Sequence, residues 1–200
     1  MLKQLKTLLL IVIVAASAAC DGTQKPIADK NEADKNLPAH NLKVVIIRHA
    51  EKPANKDGGD NLSCQGQNRA LQLASVLFQK IGKPDYTYVP ALSMDKNTAH
   101  SRMFQTITPF AIKYNLTINS KFQADDYADA AKSVLKKTGT VLMVWSHTEM
   151  PDLAGALGVN DAPKWDGADF DSMWVVTYVN GKAMLTIDSE GLNPQQNCSF

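Results

Sequence analysis

Six residues, Val44-Val45-Ile46-Ile47-Arg48-His49, limit this chain's folding options more than any others. A β-branched run without polar alternation reads as a strand buried on both faces, as strands inside parallel sheets are. A cation and an imidazole stand together at its end. In open α/β sheets the reacting groups sit just beyond the carboxyl ends of strands. The arginine is also scarce: of 21 Lys and Arg residues only Arg48, Arg69 and Arg102 are arginine. A chain that covers its surface with lysine and still sets arginine beside histidine has a use for a planar, bidentate fork there. That use is a phosphate or carboxylate site.

The rest of the body alternates strand-like and helix-like segments. Strand signals fall at Lys43–Ile47, Tyr86–Val89, Val141–Trp145, Met173–Val179 and Ala183–Ile187. Between them, Ala70, Leu73, Ala74, Leu77, Phe78 and Ile81 recur at helical spacing, with Ser63 or Cys64 near the start and Gly82 past the end. Phe104, Ile107, Ala111 and Tyr114 form a second stripe that Pro109 should kink or restart. Tyr127, Ala131, Val134 and Leu135 form a third, closed by Gly139, and Pro151 opens a short fourth ending at Gly158. Strands alternating with helices predict an α/β three-layer sandwich with a mostly parallel sheet. The final pair, joined through Asn180-Gly181, reads as a hairpin and predicts an antiparallel edge.

The amino terminus has a different character. Lys3 and Lys6 precede an apolar run, Leu8 to Ala16, and a small-residue segment, Ser17-Ala18-Ala19, so residues 1–19 read as a cleaved leader. The run is short for a membrane span. Cys20 directly after it resembles the lipobox of bacterial lipoproteins, which implies lipidation of Cys20 and a membrane anchor. The alternative is an ordinary leader with a chance cysteine. Asp21 resembles the retention signal that holds some lipoproteins at the inner membrane, so the expected place is the cell envelope, facing the periplasm. Residues 20–41, rich in Lys, Asp, Asn and Ala, then form a flexible tether, and residues 42–200 form one domain of about 160 residues, enough for a full core. The formal charge of +1 becomes −1 once the two leader lysines are lost, and neither value suits a nucleic-acid partner. In an oxidising compartment Cys64 and Cys198 invite a disulfide, against the alternative of two reduced thiols. Two cysteines and four scattered histidines give no zinc spacing.

Val141-Leu142-Met143-Val144-Trp145-Ser146-His147 repeats the first feature: an apolar strand that delivers a histidine. Arg48-His49-Ala50-Glu51-Lys52 resembles the Arg-His-Gly/Ala signature of branch 1 of the histidine phosphatase superfamily, the phosphoglycerate-mutase-like group. Leu62-Ser63-Cys64-Gln65-Gly66-Gln67-Asn68-Arg69-Ala70 is similar to that family's Leu-Thr-x-x-Gly-x-x-Arg-Ala segment. Ser101-Arg102-Met103-Phe104-Gln105-Thr106 resembles the segment with the second phosphate-binding arginine. Ser146-His147 resembles the second-histidine motif. The four lie in family order and span nearly the whole domain.

The resemblance implies a phosphoglycerate-mutase-like fold and phosphatase chemistry without a metal or other cofactor. His49 attacks phosphorus and carries a phosphohistidine, which water then hydrolyses. Arg48, Arg102 and a protonated His147 surround the phosphoryl oxygens, and their charge helps keep His49 neutral. Lys52 and Glu149 are candidate substrate contacts, with a solvated lysine the plainer reading of Lys52. Arg69 reads as a structural partner to a carboxylate rather than a phosphate ligand, and His100 as a surface loop residue. The proton donor for the leaving group stays open between Asp125, Asp126, Glu149 and none, because Gln123 stands near the place of the family's acid. Three functions follow in order: phosphatase acting on a small phosphorylated substrate or a phosphoprotein, phospho-ligand binding protein without turnover, and phosphomutase. Specificity is expected in the loops Lys52–Leu62 and Asp161–Asp171.

Overall fold

The structure is a computed structural model that describes residues 41–54, 59–93 and 98–198. The expected leader, the lipidated Cys20 and all of the tether before Asn41 lie outside the described residues. Strand β1 (Leu42–Arg48) leads into helix α1 (Cys64–Ile81), β2 (Tyr86–Tyr88), α2 (Ser101–Tyr114) and β3 (Ile118–Asn119). Helix α3 (Tyr127–Val134), β4 (Gly139–Trp145), α4 (Met150–Ala156), β5 (Ser172–Val179) and β6 (Lys182–Ser189) complete the order.

The six strands form one sheet in the order β3-β2-β4-β1-β5-β6. The first four are parallel, while β5 runs antiparallel to β1, and β6 to β5. This is the α/β sandwich read from the alternating segments, with its antiparallel edge. The period of two along β1 explains the layers. Val45 and Ile47 join Leu142 and Val144 of β4 in a core with Leu73 and Leu77 of α1 and Ile107 and Phe110 of α2. Val44 and Ile46 join Val141, Met143 and Trp145 in the opposite core, with Ala131, Val134 and Leu153 of α3 and α4. An all-apolar strand is needed because both of its faces are covered.

Local chemistry accounts for the ends of the elements. Ser63 caps α1, its Oγ accepting from the Gly66 N–H at 3.1 Å. The β5–β6 hairpin turns on Asn180 (φ 52°) and Gly181 (φ 73°), the two positive φ values that a two-residue turn of this hand requires. Cys64 and Cys198 are bridged, with Cα atoms 4.7 Å apart. Asn68 Nδ2 donates to the carbonyls of Gln195 and Asn197 beside the bridge, so the tail is tied to the start of α1.

Several local expectations need correction. Helix α2 runs unbroken through Pro109 instead of restarting there. Proline removes one donor, but Met103 and Ile107 before it and Phe110 and Ala111 after it are all buried, and that packing carries the helix past the gap. Gly139 does not close α3, which ends at Val134 with Leu135 as its cap; it opens β4 at φ 85°. The two-residue strand β3 had no periodic signal. His100 is half-buried in the left-handed region (φ 66°), with Nδ1 3.1 Å from the Ala91 carbonyl, and so is held in place rather than a free surface residue.

Candidate active site at the carboxyl edge of the sheet

Strands β1 and β4 are neighbours in parallel register, with Arg48 opposite Trp145. The His49 N–H extends the ladder by donating to the Trp145 carbonyl at 3.1 Å. Both apolar runs therefore leave the sheet side by side, and the histidines that follow them, His49 and His147, come out at the same edge. Each run predicted a buried strand, and a shared edge follows from their direct pairing.

Arg48 is 2 % exposed, which is unusual for a charged side chain without an acid on it. Its Nη1 donates to two backbone carbonyls, Gly167 and Asp169, both at 2.8 Å. Its Nε is buried with no partner among the described residues. Burial lowers its pKa to about 10, against the opposing pull of Asp169, Glu51 and Asp166. It stays protonated at neutral pH. With Nη1 committed to neutral carbonyls, the Nε edge of the fork and the full charge remain for an anion.

His49 is 4 % exposed. Its Nδ1 lies 2.8 Å from the Ala50 carbonyl oxygen, which can only accept. Nδ1 thus carries the proton, and the lone pair is on Nε2. Burial, with smaller contributions from Arg48, Arg102 and His147 and against the Ala50 hydrogen bond, pushes the imidazole down to about 4. The ring is neutral and nucleophilic above that pH.

Arg102 sits in the first turn of α2. Its Nε donates to the Asn61 carbonyl at 3.3 Å and its Nη2 to Gly59 at 3.0 Å, with Asp60 Oδ1 at 3.4 Å. It is held at one end and near enough to depress His49. His147 is half-buried, with Nδ1 unpartnered among the described residues. Burial, Arg48 and Lys52 hold its pKa below the ordinary value, and Glu149 offsets this only in part.

Lys52 is exposed and acts on His147 through its charge. Glu149 is half-buried two residues past His147 and accepts from the Thr148 hydroxyl at 2.7 Å. Asp125 and Asp126 are both exposed at the start of α3, and Asp126 accepts the Gln123 N–H at 3.2 Å. Of the three candidate acids, Glu149 is the one whose charge reaches a site histidine.

Arg69 is the carboxylate partner that its place in α1 suggested, with three acids on one guanidinium. Nη2 lies 2.9 Å from Glu51, and Nη1 lies 2.6 Å from Glu190 and 3.1 Å from Asp171. These acids keep Arg69 charged against its burial.

The contribution of Gly167 to Phe170 was not visible beforehand. Two of these residues act through backbone carbonyls, which no side-chain pattern reports. The Phe170 ring lies 3.8 Å from the Arg48 guanidinium and 6.1 Å from the His49 ring. The only hint was that the segment falls in a loop expected to shape specificity.

No protein-family model matches the chain, and a comparison with curated proteins finds no match. Solved structures do share its fold. A candidate phosphohistidine phosphatase SixA from Nakamurella multipartitia aligns at TM-score 0.51 and 18 % identity, over 78 % of this chain and 98 % of that one. A mutant phosphoserine phosphatase from Entamoeba histolytica, in complex with phosphoserine, aligns at TM-score 0.51 and 13 % identity, over 75 % of this chain and 97 % of that one. At such identities the likeness concerns the fold alone, an α/β sandwich.

Proposed function

We propose that this chain is a phosphatase that works without a metal and forms a phosphohistidine on His49. One observation carries the reading: adjacent parallel strands deliver a neutral histidine and a second histidine to one edge, beside Arg102 and beside Arg48, whose Nε has no partner among the described residues. The fold shared with phosphohistidine and phosphoserine phosphatases supports it. Nε2 of His49 forms a bond to phosphorus as the bond to the leaving group breaks. Arg48 and Arg102 stabilise the charge on the phosphoryl oxygens, and His147 gains its proton as the dianion enters. Water then attacks phosphorus, the P–N bond breaks, and inorganic phosphate leaves. Glu149 supplies the proton to poor leaving groups such as alkoxides and recovers one from the water that attacks the phosphohistidine. A phosphoramidate leaves more readily, so a phosphorylated protein side chain is a substrate class alongside small monoesters.

The phospho-ligand binding reading is favoured by one observation, the hydrogen bond from the Gln123 N–H that ties up the Asp126 carboxylate. Purified full-length chain in detergent separates the two. Hydrolysis of p-nitrophenyl phosphate in EDTA, lost in His49→Ala, with an acid-labile and base-stable phosphoenzyme, supports the phosphatase. Phosphate binding without any phosphoenzyme supports the binder. Unchanged turnover in His49→Ala ends the assignment of the nucleophile. We also propose that Cys20 is lipidated and holds the domain at the cell envelope on the tether of residues 20–41, facing the periplasm. Metabolic labelling with a fatty acid, lost in Cys20→Ala, tests this.

A further inference from the structure

We propose that Phe170 is a positioning residue that fixes the fork of Arg48 for an incoming phosphoryl group, a role that rests on the phosphatase reading above. Arg48 is held on two sides. Its Nη1 edge is pinned by the carbonyls of Gly167 and Asp169, both at 2.8 Å, and one face lies against the Phe170 ring at 3.8 Å. An arginine with neutral partners would ordinarily rotate about its side-chain bonds or draw in water. The ring removes one face from water and attracts the cation through its quadrupole without offering a charge that would compete with phosphate. An acid in that place would neutralise the group it holds.

The segment carrying the ring is itself anchored. The Asp169 carboxylate accepts from the N–H groups of Asp171 (2.8 Å) and Ser172 (3.0 Å), and the Asp169 carbonyl also accepts from the Trp165 indole at 2.9 Å. One residue after Phe170, the Asp171 carboxylate accepts from the N–H of Leu192 at 2.8 Å and pairs with Arg69. Phe170 thus sits between two acids tied to the scaffold. A Cβ added at Gly167 would come 3.9 Å from Nε2 of His147, so the same segment borders both ends of the site.

Two substitutions divide ring from bulk. Phe170→Tyr keeps the π face, and Phe170→Leu fills much of the space without one. Both are made in the full chain, with inorganic phosphate as the probe. Phe170→Leu is expected to weaken phosphate binding by calorimetry about tenfold and to lower kcat/KM to a similar degree, with thermal unfolding close to wild type. Phe170→Tyr restores both. A ligand-free readout accompanies these: with only three arginines in the chain, side-chain nitrogen spectra resolve each guanidinium. Separate, slowly exchanging Arg48 Nη signals are expected in wild type and Phe170→Tyr, and averaged ones in Phe170→Leu. Wild-type phosphate affinity and an unchanged Arg48 spectrum in Phe170→Leu overturn the proposal and leave the phosphatase reading standing. A wild-type chain without turnover, whose Arg48 spectrum still depends on the ring, ends the phosphatase reading and leaves the positioning role intact.

Discussion

Glu190 gives the sharpest test of the buried charge cluster. Three carboxylates share the Arg69 guanidinium, and Glu190 is the most buried, its side chain 1 % exposed. Its Oε2 accepts from Arg69 at 2.6 Å while Oε1 has no partner among the described residues. One positive charge cannot compensate three negative ones, so the cluster keeps a proton at this site. Burial pushes Glu190 up to about 8, with Asp171 and Glu51 adding to the rise and Arg69 opposing it. Between its ordinary value of 4.5 and about 8 the folded chain holds a proton that the unfolded chain has released. Stability therefore falls as pH rises through that interval. Two histidines act with the opposite sign: His49 and His147 have lowered pKa values, and their contributions fade as pH falls below 6.5. Arg48 releases its proton only near about 10. From pH 7 to pH 9 Glu190 acts nearly alone, and the loss works out at about 1.4 kcal/mol. Urea unfolding of wild type and Glu190→Gln at pH 7, 8 and 9 measures it. The amide keeps the shape and the acceptor but cannot release a proton, so its unfolding free energy should be flat across this range. Parallel slopes for the two proteins would refute the reasoning.

Other consequences are simpler. Arg69→Met leaves the Glu51 and Asp171 carboxylates without a counter-charge and Glu190 without its hydrogen-bond donor, and should cost about 3–5 kcal/mol in urea unfolding. Gly66→Ala should destabilise the fold although it sits in a helix, where the exchange ordinarily gains about 0.5–1 kcal/mol. Its Cβ would collide with the Glu51 backbone carbonyl, two residues past His49, so turnover should fall along with stability. Opening the Cys64–Cys198 bridge, which spans 134 residues of sequence, should cost about 5 kcal/mol in the chain-entropy picture. A comparison of thermal unfolding with and without reductant, alongside Cys64→Ser, measures that loss.

The sandwich was legible because burial on both faces leaves a mark that few other arrangements leave. Val44 to Ile47 and Val141 to Val144 had to be interior strands, and two interior strands ending in histidine lie at one edge when they pair directly. Ser63, Gly82 and Asn180-Gly181 announced their roles because caps and turns depend on the residue in place. The helix does not restart at Pro109 because a local preference worth about 3 kcal/mol is outweighed by a helix face buried on both sides of it. Phe170 and the Gly167 and Asp169 carbonyls were hidden for another reason. Their role depends on where a loop crosses the sheet edge, more than a hundred residues after Arg48, and backbone acceptors carry no residue signature.

The two buried arginines show what residue identity cannot convey. Arg48 and Arg69 are both nearly inaccessible to water. Arg69 meets three carboxylates, and its charge is consumed within the protein, linking the segment after His49, through Glu51, to the segment after Phe170, through Asp171. Among the described residues Arg48 hydrogen-bonds only carbonyls and lies against a ring, with Asp169, Glu51 and Asp166 acting on it only through space. A buried charge with no acid hydrogen-bonded to it is costly, and on the proposed phosphatase reading a phosphoryl dianion would relieve that cost. The arrangement depends on its two halves together. Arg69 ties the loops into which Arg48 is set, so loosening Arg69 should weaken anion binding at Arg48 without any contact between Arg69 and the ligand.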